Sequence, residues 1–190
     1  DSVGCYAFQP AAPASCMLPV GEDDTRAPYL NPAGRYVPFY YAATGWPTTL
    51  VPLDLAVAAE RAAALVLSAL FVAWAFTAAL TVRRPGIAVL GVTASVTPMV
   101  MYLSGIVNPN SLEITGALAM GACSLAAVRE PSSWLGSAFF RRSMLATAVV
   151  ATLRLVSPAW VGVWLLVLVA LFTWRGVLSV VRGGRVWWLI

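Results

Sequence analysis

Two uncharged stretches of the chain decide its fold, AAALVLSALFVAWAFTAALTV at residues 62–82 and IAVLGVTASVTPMVMYLSGIV at residues 87–107. An α-helix rises about 1.5 Å per residue, so it needs roughly 20 apolar residues to cross about 30 Å of hydrocarbon. Within lipid, every backbone polar group must also be satisfied inside the helix. Each stretch has 21 residues and therefore predicts one membrane-spanning helix. The basic Arg83-Arg84-Pro85-Gly86 segment between them predicts a tight turn.

More apolar stretches follow the first two. Residues 112–128 are uncharged apart from Glu113 in the first turn and form a third predicted span. The next stretch, residues 143–174, would measure about 48 Å as a single helix, far more than a bilayer needs. Because Arg154 and Ser157-Pro158 interrupt it, we predict two short helices that meet at a turn. The predicted spans are residues 62–82, 87–107, 112–128, 143–156 and 158–174, and residues 186–190 are predicted to start another.

The composition agrees with a membrane protein and excludes several enzyme classes. Hydrophobic residues make up 60% of the chain and charged residues 11%, a balance that a soluble fold of this size cannot bury. The net charge is +4, and the arginines that give it lie between apolar runs instead of clustering on a polar surface. This distribution does not favour a nucleic-acid partner. The absence of histidine removes Ser-His hydrolysis and His-ligated zinc. We predict an all-α, polytopic transmembrane helix bundle, with about five spans, behind an irregular N-terminal loop.

The arginines also give the bundle an orientation. If residues 1–60 face outward, eight of the twelve arginines fall on the inner side, as the positive-inside rule requires. A re-entrant hairpin at residues 143–153 would reverse the last span and move Arg175, Arg182 and Arg185 outside, so two crossings are preferred. We therefore predict a multi-pass protein of the plasma membrane whose N-terminal loop is extracytoplasmic.

This N-terminal loop, residues 1–60, precedes the bundle at 61–190 and contains most of the prolines, which favours an ordered but irregular segment. Cys5 and Cys16 lie in it, on the side where thiols oxidise, so we predict a Cys5–Cys16 disulfide, with two free thiols as the alternative. Cys123 is interpreted as a small packing residue. The chain opens at Asp1 and closes on an apolar stretch, so we expect an internal fragment of a larger protein.

Aromatic residues concentrate just before the first span, in the stretch that contains Arg35, Tyr40 and Tyr41 and ends with Gly45-Trp46-Pro47. They form either an interfacial aromatic belt or a platform for a sugar ring or lipid head group, in which Arg35 would meet a phosphate. The acidic turn at residues 22–24 is either solvated or chelates a cation. A divalent cation is otherwise not indicated, and no metal site or cofactor is identified.

Polar residues at membrane depth are costly, and three groups of them lie on the predicted outer side. Glu60-Arg61 either anchors the end of the first span or turns Arg61 toward an anion. The segment from Asn108 to Glu113 is either a turn, in which Asn110 or Ser111 caps the next helix and Glu113 favours its dipole, or the wall of a polar pocket. Arg154 either extends to the interface or presents its planar fork to a lipid phosphate.

Five features in succession resemble a known bacterial family. They are the cysteine pair, GRYVPFYYAATGWP at 34–47, AAERAAALVLSAL at 58–70, VTPMVMYLSGIVNPNSLEITGALA at 96–119 and LRLVSPAWVGVWLL at 153–166. Together they resemble the membrane protein family known as domain of unknown function 2142, over nearly the whole chain. The most specific element contains Thr97, Pro98, Asn108, Pro109, Asn110 and Glu113, and Arg61 supports it.

The family looks related to the C-type membrane glycosyltransferases, which use polyprenyl-phosphate-linked sugars on the outer membrane face. The resemblance implies sugar transfer to a cell-envelope glycan or lipid, with a catalytic acid in a segment that would precede Asp1. Candidate residues for binding the substrate or its lipid phosphate are Arg35, Tyr40, Tyr41, Arg61, Asn108, Asn110, Glu113 and Arg154. Two other classes stay open, a transporter or flippase for lipid or polysaccharide and a structural subunit of envelope assembly. The middles of the first two spans lack the ionisable residues that transport favours.

Overall fold

The structure is a computed structural model that describes residues 11–13, 37–130 and 133–186, without side chains for 173–177 and 179–186. Contacts between Cα atoms separate residues 1–34 from residues 35–190, and the description below concerns the second unit. Arg35, Cys5, Cys16 and the acidic turn at 22–24 lie outside the described residues. The disulfide and the role of Arg35 therefore stay predictions.

Helices form every regular element of the described residues, which confirms the all-α prediction. The most extensive contacts between helices join α5 to α6 and to α2, so α5 lies at the centre of the bundle. The helices are α1 (Phe39–Gly45), a short 3₁₀ helix (Trp46–Leu50), α2 (Leu53–Thr81), α3 (Pro85–Ser95), α4 (Pro98–Ser104), α5 (Pro109–Arg129), α6 (Trp134–Leu153) and α7 (Ser157–Val186).

The first predicted span is part of a longer helix. Helix α2 begins at Leu53, after Pro52, and its 29 residues measure about 43 Å. The preceding segment also contains regular structure, because α1 and the 3₁₀ helix occupy most of the region between Phe39 and Leu50. The last part of the segment predicted as an irregular loop is therefore largely helical.

The second predicted span is not one straight helix. Helices α3 and α4 meet at a break with a bend of 62°. Pro98 has no N–H to donate into the preceding turn, and the hydroxyl of Thr97 accepts a hydrogen bond from the backbone N–H of Val100, so the chain starts a new helix there. A uniform apolar run hid this local helix start, so residues 87–107 contain a bent pair of helices, and their crossing of the membrane as one span stays a prediction.

The last two helices are longer than their sequence predicts. Helix α6 begins at Trp134, not at residue 143, so Arg141 and Arg142 lie on it. The predicted break at Arg154 is present, since α6 ends at Leu153 and α7 begins at Ser157. Helix α7 continues to Val186, where the sequence predicted that a further span starts.

Small side chains fill the contacts between helices, and large apolar ones face outward. Ala75, Ala78, Ala119, Ala126 and Ala146 are all buried. Large apolar residues on the outer faces of the helices are exposed; they include Leu65, Val66, Leu80, Ile87, Leu90 and Leu166. Membrane helices associate through small residues that allow close approach, because lipid already solvates their apolar side chains. This distribution fits a bundle that is surrounded by hydrocarbon.

Length and composition identify α2 and α5 as helices able to cross a membrane, or three spans in all if the bent α3–α4 pair counts as one. Helix α6 contains Arg141 and Arg142. In α7, the apolar segment of the described side chains is Ser157–Phe172, which is shorter than the two spans named above. The prediction of five spans therefore stays a prediction.

Cysteine labelling tests the orientation that the arginines predict. Leu50 and Gly86 are both exposed, and they lie near opposite ends of α2. In the full-length protein we expect an impermeant maleimide to label Leu50→Cys in intact cells, and Gly86→Cys only after the membrane is permeabilised. The wild-type protein gives the background from native cysteines. The reverse pattern would overturn the predicted orientation.

Candidate functional site

Polar residues from four parts of the chain meet at one end of the bundle. They come from α1, the first turns of α2, the turn between α4 and α5 with the start of α5, and the turn between α6 and α7. We call this region the polar end; it consists of Tyr40, Arg61, Asn108, Ser111, Glu113, Arg154 and Ser157. The opposite end contains the α2–α3 and α5–α6 turns. Because successive helices run in opposite directions, residues that are far apart in sequence lie at the same end of the bundle.

An ion pair between α5 and the α6–α7 turn forms the centre of the polar end. The Nε atom of Arg154 lies 3.6 Å from Oε2 of Glu113, and the side chains are 30% and 19% exposed. The hydroxyl of Ser157 donates a hydrogen bond of 2.8 Å to Oε1 of the same carboxylate. Ser157 itself is fully buried. Both oxygens of Glu113 are therefore engaged, and the carboxylate holds Arg154 at the end of the bundle.

The start of α5 explains how Glu113 reaches this position. Asn108 is the N-cap, because its Oδ1 accepts a hydrogen bond of 2.9 Å from the backbone N–H of Asn110. Pro109 occupies the first helical position, where a missing N–H costs nothing. The prediction that Asn110 or Ser111 caps the helix was wrong. Glu113 lies beyond the first turn, so its partners are Arg154 and Ser157 instead of the helix terminus.

Arg61 connects α2 to the end of α4. Its Nε donates a hydrogen bond of 2.6 Å to the backbone carbonyl of Gly105, the C-cap residue of α4. The side chain is exposed. Within the described part of the chain, no hydrogen bond or ion pair occupies its two Nη atoms. The guanidinium is thus fixed by one edge and presents its remaining donors outward, beside the turn that leads to Asn108.

Tyr40 closes the polar end from the side of α1. Its ring is buried against Leu112 and Leu153, and it stacks edge to face on Tyr41 with ring centroids 5.2 Å apart. Burial raises the pKa of the Tyr40 hydroxyl to about 12, although the nearby backbone of Asn108 acts in the opposite direction. The hydroxyl therefore stays protonated at neutral pH, and its oxygen is buried beside the backbone of Asn108.

Buried hydroxyl groups behind the ion pair join α2 to α5. The hydroxyl of Ser68 donates to Oγ of Ser111 at 3.4 Å, and the hydroxyl of Ser111 donates to the carbonyl of Asn108 at 3.1 Å. Thr115 donates to the carbonyl of Ser111 at 2.8 Å. All three side chains are buried. These contacts fix the position of the Asn108–Glu113 segment against α2.

An apolar cavity adjoins the polar end. It has a volume of about 330 Å³ and lies between α1, α5 and α6. Its walls include Phe39, Tyr40, Leu112, Val149 and Leu153. Leu112 and Leu153 immediately precede Glu113 and Arg154, so an apolar group in this cavity would lie beside the charged pair.

The structure thus brings together Tyr40, Tyr41, Arg61, Asn108, Asn110, Glu113 and Arg154. Asn110 contributes its backbone N–H to the cap. Sequence reasoning missed Ser157, Ser111 and Ser68 as members of the site. Ser157 was noticed only as part of a helix break, and its position three residues after Arg154 was the available signal. Within the described part of the chain, no group of three or more Cys, Asp or Glu side chains is placed to hold a metal ion.

One comparison with known proteins identifies the family. The family model described as "Predicted membrane protein (DUF2142)" matches residues 3–189, nearly the whole chain. No curated protein and no solved structure matches it. The match confirms the resemblance found in the sequence, while the relation to C-type glycosyltransferases stays a prediction. The chain belongs to the DUF2142 family of membrane proteins.

Proposed function

We propose that the polar end binds the phosphate of a polyprenyl-phosphate-linked sugar and that the full-length protein transfers this sugar to a cell-envelope glycan or lipid. The observation that carries the proposal is the convergence of Arg61 and Arg154 at the same end of an otherwise apolar bundle. The planar guanidinium group of arginine matches phosphate oxygens in geometry and charge. The resemblance to C-type glycosyltransferases supplies the choice of sugar donor.

The neighbouring cavity supports a lipid-linked substrate. It opens between α1 and α6 and is walled by apolar side chains up to the residues that precede Glu113 and Arg154. An isoprenoid chain placed there would bring its phosphate to the charged pair. The protonated Tyr40 hydroxyl and the Tyr41 ring would then lie close to the sugar that the phosphate carries.

In the proposed reaction, an acceptor hydroxyl attacks the anomeric carbon of the sugar while the bond from that carbon to the phosphate oxygen breaks. Polyprenyl phosphate leaves with the electron pair, and its negative charge grows as it departs. Arg61 and Arg154 stabilise this charge. A carboxylate from outside residues 1–190, as the resemblance implies, accepts the proton of the acceptor hydroxyl.

Within this scheme, Glu113 and Ser157 are positioning residues. Their contacts hold the guanidinium of Arg154 in one orientation before substrate arrives. A pre-set cation loses less entropy on binding and needs no reorganisation during the reaction.

A sugar-transfer assay tests the proposal. We expect purified full-length protein to transfer labelled hexose from a polyprenyl-phosphate donor to an envelope extract. Arg61→Ala and Arg154→Ala should each lower the rate about 100-fold, the usual cost of removing one donor that stabilises developing charge. Arg83→Ala and Arg84→Ala remove the same charge from the opposite end and should leave the rate unchanged. Wild-type rates in both Arg61→Ala and Arg154→Ala would contradict the proposed roles.

One observation favours transport as a second candidate. Broken helices are common in transporters, where they line substrate paths, and α3 and α4 are such a broken pair. If the protein is a flippase, it should move a fluorescent polyprenyl phosphate between the leaflets of reconstituted vesicles without transferring sugar. Pro98→Ala, which restores a backbone N–H donor at the break between α3 and α4, should then slow this movement.

A further inference from the structure

A second groove lies away from the polar end, between α5, α6 and α7. Its volume is about 350 Å³, and its walls are almost entirely apolar, with Val128, Phe140, Met144, Ala151, Leu165 and Leu168 among them. Along α6 the lining extends from Phe140 to Ala151, a rise of about 16 Å. The groove thus has the length of a substantial part of a fatty acyl chain.

Two arginines lie beside the end of this groove that is remote from the polar end. Arg129 follows Val128 at the end of α5 and is exposed, and Arg141 follows Phe140 on α6 and is half-buried. Because residues three and seven apart share a helix face, Arg141 lies above Met144 and Ala148, which also line the groove.

Arg141 differs from its neighbour Arg142 in its partners. The Nη1 atom of Arg142 donates to Thr77 at 3.1 Å, and its guanidinium lies 5.9 Å from the centre of the Trp74 ring and 5.7 Å from that of Phe139. The guanidinium of Arg142 thus contacts residues of α2 and α6. Arg141 makes no hydrogen bond or ion pair with any other residue that the structure describes, although its side chain is only partly exposed.

The charge around this end of the bundle is strongly positive. Among the residues whose side chains the structure describes, five arginines lie there against the single acid Glu130; they are Arg83, Arg84, Arg129, Arg141 and Arg142. A ligand that fits both features needs an anionic head and an apolar chain. Phospholipids with a net negative charge have both, and basic pockets between helices bind such head groups.

We propose that this groove binds one acyl chain of an anionic phospholipid whose phosphate is held by Arg141 and Arg129. The site is separate from the polar end, so its test does not depend on the proposed sugar transfer. Its role is to bind a structural lipid between α5, α6 and α7.

Native mass spectrometry of the full-length protein tests the proposal. We expect detergent-purified protein to retain phosphatidylglycerol in preference to phosphatidylcholine, in a ratio of about one lipid per chain. Arg141→Gln should weaken phosphatidylglycerol binding about tenfold, as expected for loss of one charge-assisted contact. Arg141→Lys keeps the charge and should retain most of the binding. Ala151→Leu fills the groove and should also reduce binding.

Arg84→Gln is the matched control, because it removes one exposed positive charge from the same end without touching the groove. It should leave binding unchanged. An equal loss in Arg84→Gln would show that diffuse charge, not a site, retains the lipid and would overturn the proposal. Equal retention of phosphatidylcholine, or unaltered binding in Ala151→Leu, would overturn it as well. Elution of each variant as a monodisperse peak shows that it is folded.

Discussion

Replacing Glu113 by alanine is expected to lower the free energy of unfolding by about 3 kcal/mol, the size of effect seen when one partner of a largely buried ion pair is removed. The carboxylate accepts a hydrogen bond from the fully buried Ser157 hydroxyl and faces the guanidinium of Arg154. The variant leaves that hydroxyl without its acceptor and takes the counter-charge from Arg154. Glu130→Ala, at an exposed acid of the opposite end, should change stability by less than about 0.5 kcal/mol.

A double-mutant cycle separates the pair from its surroundings. Glu113→Ala, Arg154→Ala and the double variant are compared by thermal unfolding of the purified protein in detergent. For residues in direct contact we expect a coupling free energy of about 0.5 to 3 kcal/mol. Glu113→Gln keeps an acceptor for Ser157 and should recover part of the loss. Strict additivity of the two single variants would show that the ion pair contributes nothing.

Local chemistry explains the parts of this fold that the sequence predicted. An unbroken apolar run has to be helical in lipid, so the positions of α2 and α5 follow from hydropathy alone. The break near Arg154 also followed, because a permanent charge and a proline in succession end a helix. The pairing of Arg154 with Glu113 did not follow. The two residues were both named as candidates, but they are 41 positions apart, and only the packing of α5 against α6 brings them together.

The errors have local signals that hydropathy outweighed. Pro98 stood inside the second apolar run, but an average over 21 uncharged residues concealed it. At the start of α5, Asn108, Asn110 and Ser111 are all suitable caps, and Pro109 selects Asn108 because proline favours the first helical position. The predicted helix at residues 143–156 started too late because Arg141 and Arg142 were assigned to the loop on the inner side of the membrane. The charge of Arg142 is stabilised at this position because Thr77 and two aromatic rings contact its guanidinium.

Replacing Gly116 by leucine is expected to lower the free energy of unfolding by about 3 kcal/mol, at the upper end of the range for overpacked cores. Gly116 lies at a close approach of α5 to α6, and even a Cβ atom there would lie 2.8 Å from Cγ2 of Val150. Val150 is fully buried, and its branched side chain has few other rotamers in a helix. The two helices would therefore have to separate.

A graded series of variants identifies steric overlap as the cause. Gly116→Ala should cost less than leucine, because alanine is the better helix former and offsets part of the clash. Val150→Ala combined with Gly116→Ala should recover stability, since it removes the methyl group that the new Cβ meets. Gly91→Leu is the matched control, because a Cβ at Gly91 has no neighbour within 4 Å among the described residues. If Gly91→Leu lowered the unfolding temperature as much as Gly116→Leu, a general effect of the larger side chain and not close packing of α5 on α6 would explain both losses.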